Sequence, residues 1–405
     1  MKRHLLLLVS LTFSISALAQ TDTRASEIER ALDDKERTLI PEIPPAGERK
    51  FDRIQTSRWL TSLFDSGGTG LRLGLGGMPA GATGFSLGPD WKRTDLWNER
   101  LQLTASLRGS VNQSYLGLVS LRLPDLLDGR AFIGFTAMHA DYSQMPFYGI
   151  GPNSRRGDRS NYRLENSTLE LRPGLRPARY FQVGLIGGWN RYNVGPGESS
   201  TYISTDKLYS ESQTPGIVRQ GSFLRSGAFA TYDRRSPGTE PVSGLRYAAE
   251  WSRMSDRDFG AFSHSRLDLD AQHYIPFLNQ KRVIALHGHT SLTDMRSDQN
   301  VPFYLQPSVG GPDTLRGYRP FRFTGADSMW MNAEYRWEAS TALDLVVFAD
   351  GGKVFNRWEQ LNLHDLHGSG GLGLRFKMNR SLALRLDAGV SHEGVQLWLR
   401  FNNVF

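Results

Sequence analysis

Along most of this chain, apolar and polar positions alternate with a period of two. From Gly67 onward the pattern recurs in LRLGLGGM, LQLTASLRGSV, YLGLVSLRL, AFIGFTAMHADY, YFQVGLIGGWNRY, FLRSGAFATYD, LRYAAEWSRM, SRLDLDAQHYI, RVIALHGHTSL, MWMNAEYRW, LDLVVFADGGKVF, GGLGLRF, LALRLDAGVS and VQLWLRF. Each segment predicts a half-buried β-strand of about 8 to 12 residues. With TGFSLGPDW and the less regular NYRLENSTLELR they number about 16, and an even count of long strands is the signature of a membrane-spanning barrel. In MWMNAEYRW, Met329, Met331, Ala333, Tyr335 and Trp337 share one face, and Asn332, Glu334 and Arg336 the other. The first set predicts a lipid-facing surface and the second a polar lumen.

Connection lengths give the strands a direction. The long connections, Ser143–Ser160, Asn193–Ser222, Met295–Asp327 and Asn356–His367, follow odd-numbered strands. Those after even-numbered strands, such as RPGLRPA, PFLNQK, AST and MNRS, are mostly short. Long outer loops alternating with short inner turns characterise outer-membrane barrels. A soluble sandwich or propeller has no reason to produce that asymmetry. The expected fold is all-β, a 16-stranded antiparallel transmembrane β-barrel over 67–405.

Before Gly67 the period of two is absent. Residues 1–19 have a basic start, an apolar run from Leu5 to Ile15 and Ala17-Leu18-Ala19, and predict a secretory signal peptide. Residues 20–66 predict a periplasmic tether or plug, with Ser26 and Glu29 forming a capping box before a short charged helix. Nowhere else does the chain approach the roughly 20 apolar residues a membrane helix needs.

Composition narrows the function. The 405 residues include no cysteine, so an exported chain of this kind is not a disulfide scaffold. The net charge of +7, with 9 Trp, 14 Tyr and 21 Phe, would suit nucleic-acid binding. Interfacial aromatic girdles and lumen charges already account for both, so no nucleic-acid partner is expected. GFSLG at Gly84–Gly88 matches G-x-S-x-G, but Pro89-Asp90 and further strand follow where a nucleophile elbow needs a helix. His287 and His289 share a strand face without a third ligand at suggestive spacing, and His364 and His367 are expected in solvent. No cofactor, metal or catalytic residue is expected, and the protein reads as a non-enzyme.

One outer loop carries more chemistry than a turn requires. GGPDTLRGYRPFRF, Gly310 to Phe323, lies between the eleventh and twelfth predicted strands. Its Leu315-Arg316-Gly317-Tyr318 resembles the V/L-R-G-F/Y signature of the BamA/TamA outer-membrane assembly factors, the bacterial surface antigen barrels. FYGIGPNS at Phe147–Ser154, TYDRRSPGTEPVSG at Thr231–Gly244, FADGG at Phe348–Gly352 and the terminal Phe405 are similar to other family segments. The resemblance implies a 16-stranded barrel whose sixth outer loop folds back inside. Arg316 would then meet Glu334 and Asp350, which alternation turns inward, with Phe348 and Gly352 beside them.

The resemblance further implies insertion or translocation of a polypeptide or lipid in the outer membrane of a Gram-negative bacterium. A seam between the first and last strands would open for it. Implied partners are outer-membrane lipid, a polypeptide client and, during biogenesis, the barrel assembly machinery reading Phe405 as a carboxyl-terminal signal. Family members carry periplasmic POTRA domains, for which residues 20–66 are too short, so a bare barrel is expected. A passive pore or structural surface barrel, and an outer-membrane lipase, are the alternatives.

Overall fold

A computed structural model describes residues 69–401, except 80, 239, 379 and 380. The expected signal peptide, the tether and Phe405 lie outside the described residues. The first half of the wall comprises β1 (Gly70–Leu75), β2 (Ser86–Leu96), β3 (Leu101–Ser110), β4 (Tyr115–Leu126), β5 (Ala131–Phe147), β6 (Ser160–Ala178), β7 (Phe181–Pro196) and β8 (Ser222–Asp233). The second half comprises β9 (Gly244–Asp256), β10 (His264–Phe277), β11 (Arg282–Asp294), β14 (Asp327–Ser340), β15 (Leu343–Phe355), β16 (His367–Met378), β17 (Ser381–Ser391) and β18 (Gly394–Phe401). β12 (Ser308–Val309) and β13 (Phe323–Thr324) form a small separate ladder within the loop between β11 and β14.

The wall is one antiparallel sheet of 16 strands in chain order. Its order is linear: among the described residues, β1 pairs only with β2 and β18 only with β17. β1 has six residues where β2 has 11. Several strands are longer than their sequence pattern suggests, reaching 17 residues in β5 and 19 in β6. Their outer ends rise above the alternating apolar stretch and pack against loops, where the period of two no longer marks them.

Three inner turns share one device. Trp97-Asn98-Glu99, Leu127-Asp128-Gly129 and Leu278-Asn279-Gln280 all have positive φ. Asn or Asp takes the middle place, where a short polar side chain tolerates the left-handed region. The turn after β8 is longer, and its Glu240 reaches Arg336 of β14 at 3.7 Å.

The outer loops close over the barrel mouth. Phe303, from the sixth loop (residues 295–326), sets its ring edge-on to Phe147 and Tyr162 at 5.1 and 4.7 Å. Ile217 of the fourth loop and Tyr142 of β5 belong to the same buried cluster. Ile150 of the third loop bridges Thr324, and the Gly151 amide donates to the Thr324 carbonyl at 2.7 Å. Arg322 donates to both Glu393 carboxylate oxygens at 2.8 and 3.1 Å and to the Ser154 carbonyl at 2.8 Å. The sixth loop is thereby tied to the third and the eighth.

One expectation, that strand continues through the GFSLG match, is met, and one is corrected. Ser86 of the GFSLG match opens β2, and the same strand runs on through Pro89 and Asp90. His367 is not a solvated loop residue: it starts β16, and its ring stacks on Phe323 at 3.8 Å with the planes 7° apart. The return of the sixth loop brings Phe323 to it.

Candidate functional site

The sixth loop descends into the lumen as a folded unit. Val309, Leu315, Tyr318 and Phe323 bury their side chains together with Val354 of β15, and Trp330 packs against them. Alternation along β14 and β15 presents Asn332, Glu334, Phe348 and Asp350 to this unit, all buried.

Arg316 lies at the centre and is 1% exposed. Its Nη2 donates to Asp350 Oδ1 at 2.5 Å, its Nε to Asp350 Oδ2 at 3.0 Å, and its Nη1 to Glu334 Oε1. The Arg316 backbone amide donates to Asp350 Oδ2 at 2.9 Å. The guanidinium carbon sits 3.5 Å from the Phe348 ring centroid, a cation–π contact. A planar fork can satisfy two carboxylates and stack on a ring at once, which an ammonium cannot. Burial alone would lower the Arg316 pKa, but the Glu334 and Asp350 carboxylates hold it above the ordinary arginine value.

The carboxylates have further partners. Asn332 Nδ2 donates to Asp350 Oδ1 at 2.8 Å and to the Thr314 carbonyl at 2.6 Å. Ser369 Oγ donates to Asp350 Oδ2 at 3.2 Å. Glu334 also accepts from Arg336 Nε at 2.8 Å and Arg375 Nη2 at 3.2 Å. Arg375 Nη1 and Arg385 Nε both donate to Asp387, the first at 2.6 Å. Four guanidiniums (Arg316, Arg336, Arg375, Arg385) thus face four carboxylates (Glu240, Glu334, Asp350, Asp387). Buried charge of this density is tolerable because each group is ion-paired, and all but Glu240, whose oxygens accept no hydrogen bond among the described residues, are hydrogen-bonded as well.

Backbone contact completes the seat. A Cβ on Gly317 would lie 2.7 Å from the Val390 carbonyl oxygen, and one on Gly389 would lie 2.3 Å from that of Arg316. Two glycines on opposite sides let the loop backbone meet the β17 backbone directly. Ser391 Oγ donates to the Gly317 carbonyl at 2.7 Å, and Trp398 Nε1 of β18 donates to the Arg316 carbonyl at 2.7 Å. Tyr318 Oη donates to the Gly368 carbonyl at 3.2 Å. Gly352 lies next to Trp330, where a Cβ would come within 2.8 Å of the Trp330 Cβ.

The structure therefore brings together Leu315, Arg316, Gly317, Tyr318, Glu334, Phe348 and Asp350, with Gly352 at the edge of the group. Sequence reasoning had not singled out Arg375, Arg385, Asp387, Gly389 or Trp398. Inward alternation along GLGLRF, LALRLDAG and VQLWLRF was the available signal. Trp398→Phe keeps the ring and removes the indole donor to the loop carbonyl. We expect a loss of about 1 kcal/mol and faster amide exchange at Gly317, measured by hydrogen exchange.

His287 and His289 form a separate lumen cluster. His287 Nε2 is 2.7 Å from Asp270 Oδ2, and His289 lies 3.7 and 3.8 Å from Asp268 and Asp270. The His289 ring stacks on Trp330 with centroids 5.5 Å apart. Ion pairs and ring packing account for both histidines.

A lumen closed by an inward loop, carried on 16 strands, defines the class. Residues 100–401 match the Omp85 superfamily domain, and the chain belongs to that superfamily of outer-membrane barrels. Among solved structures, it is similar to BamA from Haemophilus ducreyi lacking POTRA domains 1–3, with a TM-score of 0.62 at 16% identity. That match covers 81% of this chain and 68% of the other. CdiB from Escherichia coli matches with a TM-score of 0.54 at 13% identity, covering 81% of this chain and 61% of that one. No curated protein matches the chain by sequence.

Proposed function

We propose that this barrel is a non-enzymatic factor for inserting or translocating a polypeptide, or a lipid, at the outer membrane. Its client would enter through the seam between β1 and β18. The observation that carries this reading is the linear strand order, with β1 and β18 each paired on one side only among the described residues. An edge strand leaves backbone donors and acceptors without partners, at a cost of several kcal/mol per group in lipid. An incoming extended segment can satisfy them by strand addition.

The seated sixth loop supports this reading over a passive pore. Its folded unit occupies the lumen, and the outer loops close above it, so the route left to a client is sideways. Outer-membrane lipid and a newly exported polypeptide are the proposed partners, with the barrel assembly machinery acting during biogenesis. No cofactor is needed, because strand exchange breaks no covalent bond.

Photo-crosslinking in cells tests the seam. A photoreactive residue replacing Leu71, which is outward on β1 and 74% exposed, is compared with one replacing Leu269 on β10. Adducts with newly exported polypeptides are expected from position 71 and not from 269. Equal capture at both positions, or none at 71, would remove the seam as the route.

A further inference from the structure

The outward side of β6, β7 and β8, toward their outer ends, carries a polar cavity of about 690 Å³. Its chemistry comes from Glu165, Trp189, Arg191, Asn193, Gln220 and Asp258. Register fixes its height on the barrel. Leu169, Trp189 and Leu224 are neighbours across the three strands, and Ser167, Arg191 and Ser222 form the next outward row. Two residues along a strand raise that row by about 7 Å. Leu169, Leu185 and Leu224 on the same face are 46%, 63% and 45% exposed, which is the apolar belt. The cavity therefore begins where the belt ends, with Trp189 at the boundary that interfacial aromatics occupy.

The polar groups are arranged with capacity to spare. Asn193 Nδ2 donates to Glu165 Oε2 at 3.1 Å. Asp258 Oδ2 accepts from the Ser222 amide and hydroxyl at 2.7 and 3.0 Å, and Gly221 admits it, since a Cβ there would lie 2.9 Å from that oxygen. Asp258 Oδ1 accepts no hydrogen bond among the described residues, and Arg191 holds no ion pair or hydrogen bond among them.

We infer that this cavity binds the sugar headgroup of a glycolipid in the outer leaflet. Sugar hydroxyls donate to the Glu165 and Asp258 carboxylates and accept from Arg191 and the two amides. The indole face of Trp189 suits the apolar C–H face of a pyranose. Acyl chains of the same molecule would lie along Leu169 and Leu185 below. Two carboxylates against one arginine disfavour a phosphate-only headgroup, because like charges would meet in the cavity.

The test uses the full-length barrel in phosphatidylglycerol nanodiscs containing a small fraction of rough lipopolysaccharide, with native mass spectrometry counting retained lipid. The wild-type protein should retain the glycolipid over phosphatidylglycerol, and Arg191→Gln combined with Asp258→Asn should lower retention at least tenfold. Trp189→Phe should lower it less. Unchanged heat-modifiability shows that each variant is folded. The deacylated core oligosaccharide should bind much more weakly than the lipid. Equal retention by wild type and the double variant, or no preference over phosphatidylglycerol, would overturn the assignment.

Discussion

Arg316→Ala should destabilise the barrel by about 3–5 kcal/mol, the usual cost of removing one member of a buried charge network. Asp350 would lose its guanidinium and keep only Asn332, Ser369 and one backbone amide. Glu334 would keep Arg336 and Arg375. Arg316→Lys should recover little, because one ammonium cannot make both carboxylate contacts and stack on Phe348. The measurement is the urea midpoint of the purified barrel, followed by its heat-modifiable gel shift. An Arg316→Ala midpoint equal to that of wild type would mean that the network does not hold the loop.

The second large effect is steric. Gly389→Val should unseat the sixth loop and leave the wall standing, because its side chain would enter the space of the Arg316 carbonyl. Overpacking of this kind costs roughly 3 kcal/mol, and a mobile loop can escape that cost where a sheet cannot. Trypsin should then cut after Arg316 or Arg322 in intact barrels. Gly368→Ala is the control: nothing lies within 4 Å of a Cβ there, so its cleavage should match wild type. Equal protection in Gly389→Val would show that the loop is held elsewhere.

Much of the site was legible in the sequence because strand alternation and loop length carry strong physical signals. MWMNAEYRW and LDLVVFADGG turn Glu334 and Asp350 inward by period alone, and the motif in the long loop supplies Arg316 as their counter-ion. Arg375, Arg385 and Asp387 were hidden for a related reason. A charge facing a water-filled lumen and a charge facing its partner give the same alternating pattern. His367 was misread because its partner Phe323 lies 44 residues earlier and reaches it only when the loop turns back. NYRLENSTLELR looked irregular because the outward row of β6 changes from polar to apolar along its length, from Glu165 and Ser167 to Leu169 and Leu171.

The most direct measurement of the proposed activity is the folding rate of a urea-denatured outer-membrane barrel added to phospholipid vesicles. One set of vesicles contains this protein, and another contains an equal mass of an unrelated barrel closed around its full circumference. Lateral insertion at an edge between β1 and β18 predicts faster client folding in the first set. Equal rates in the two sets would contradict an insertion role for the seam.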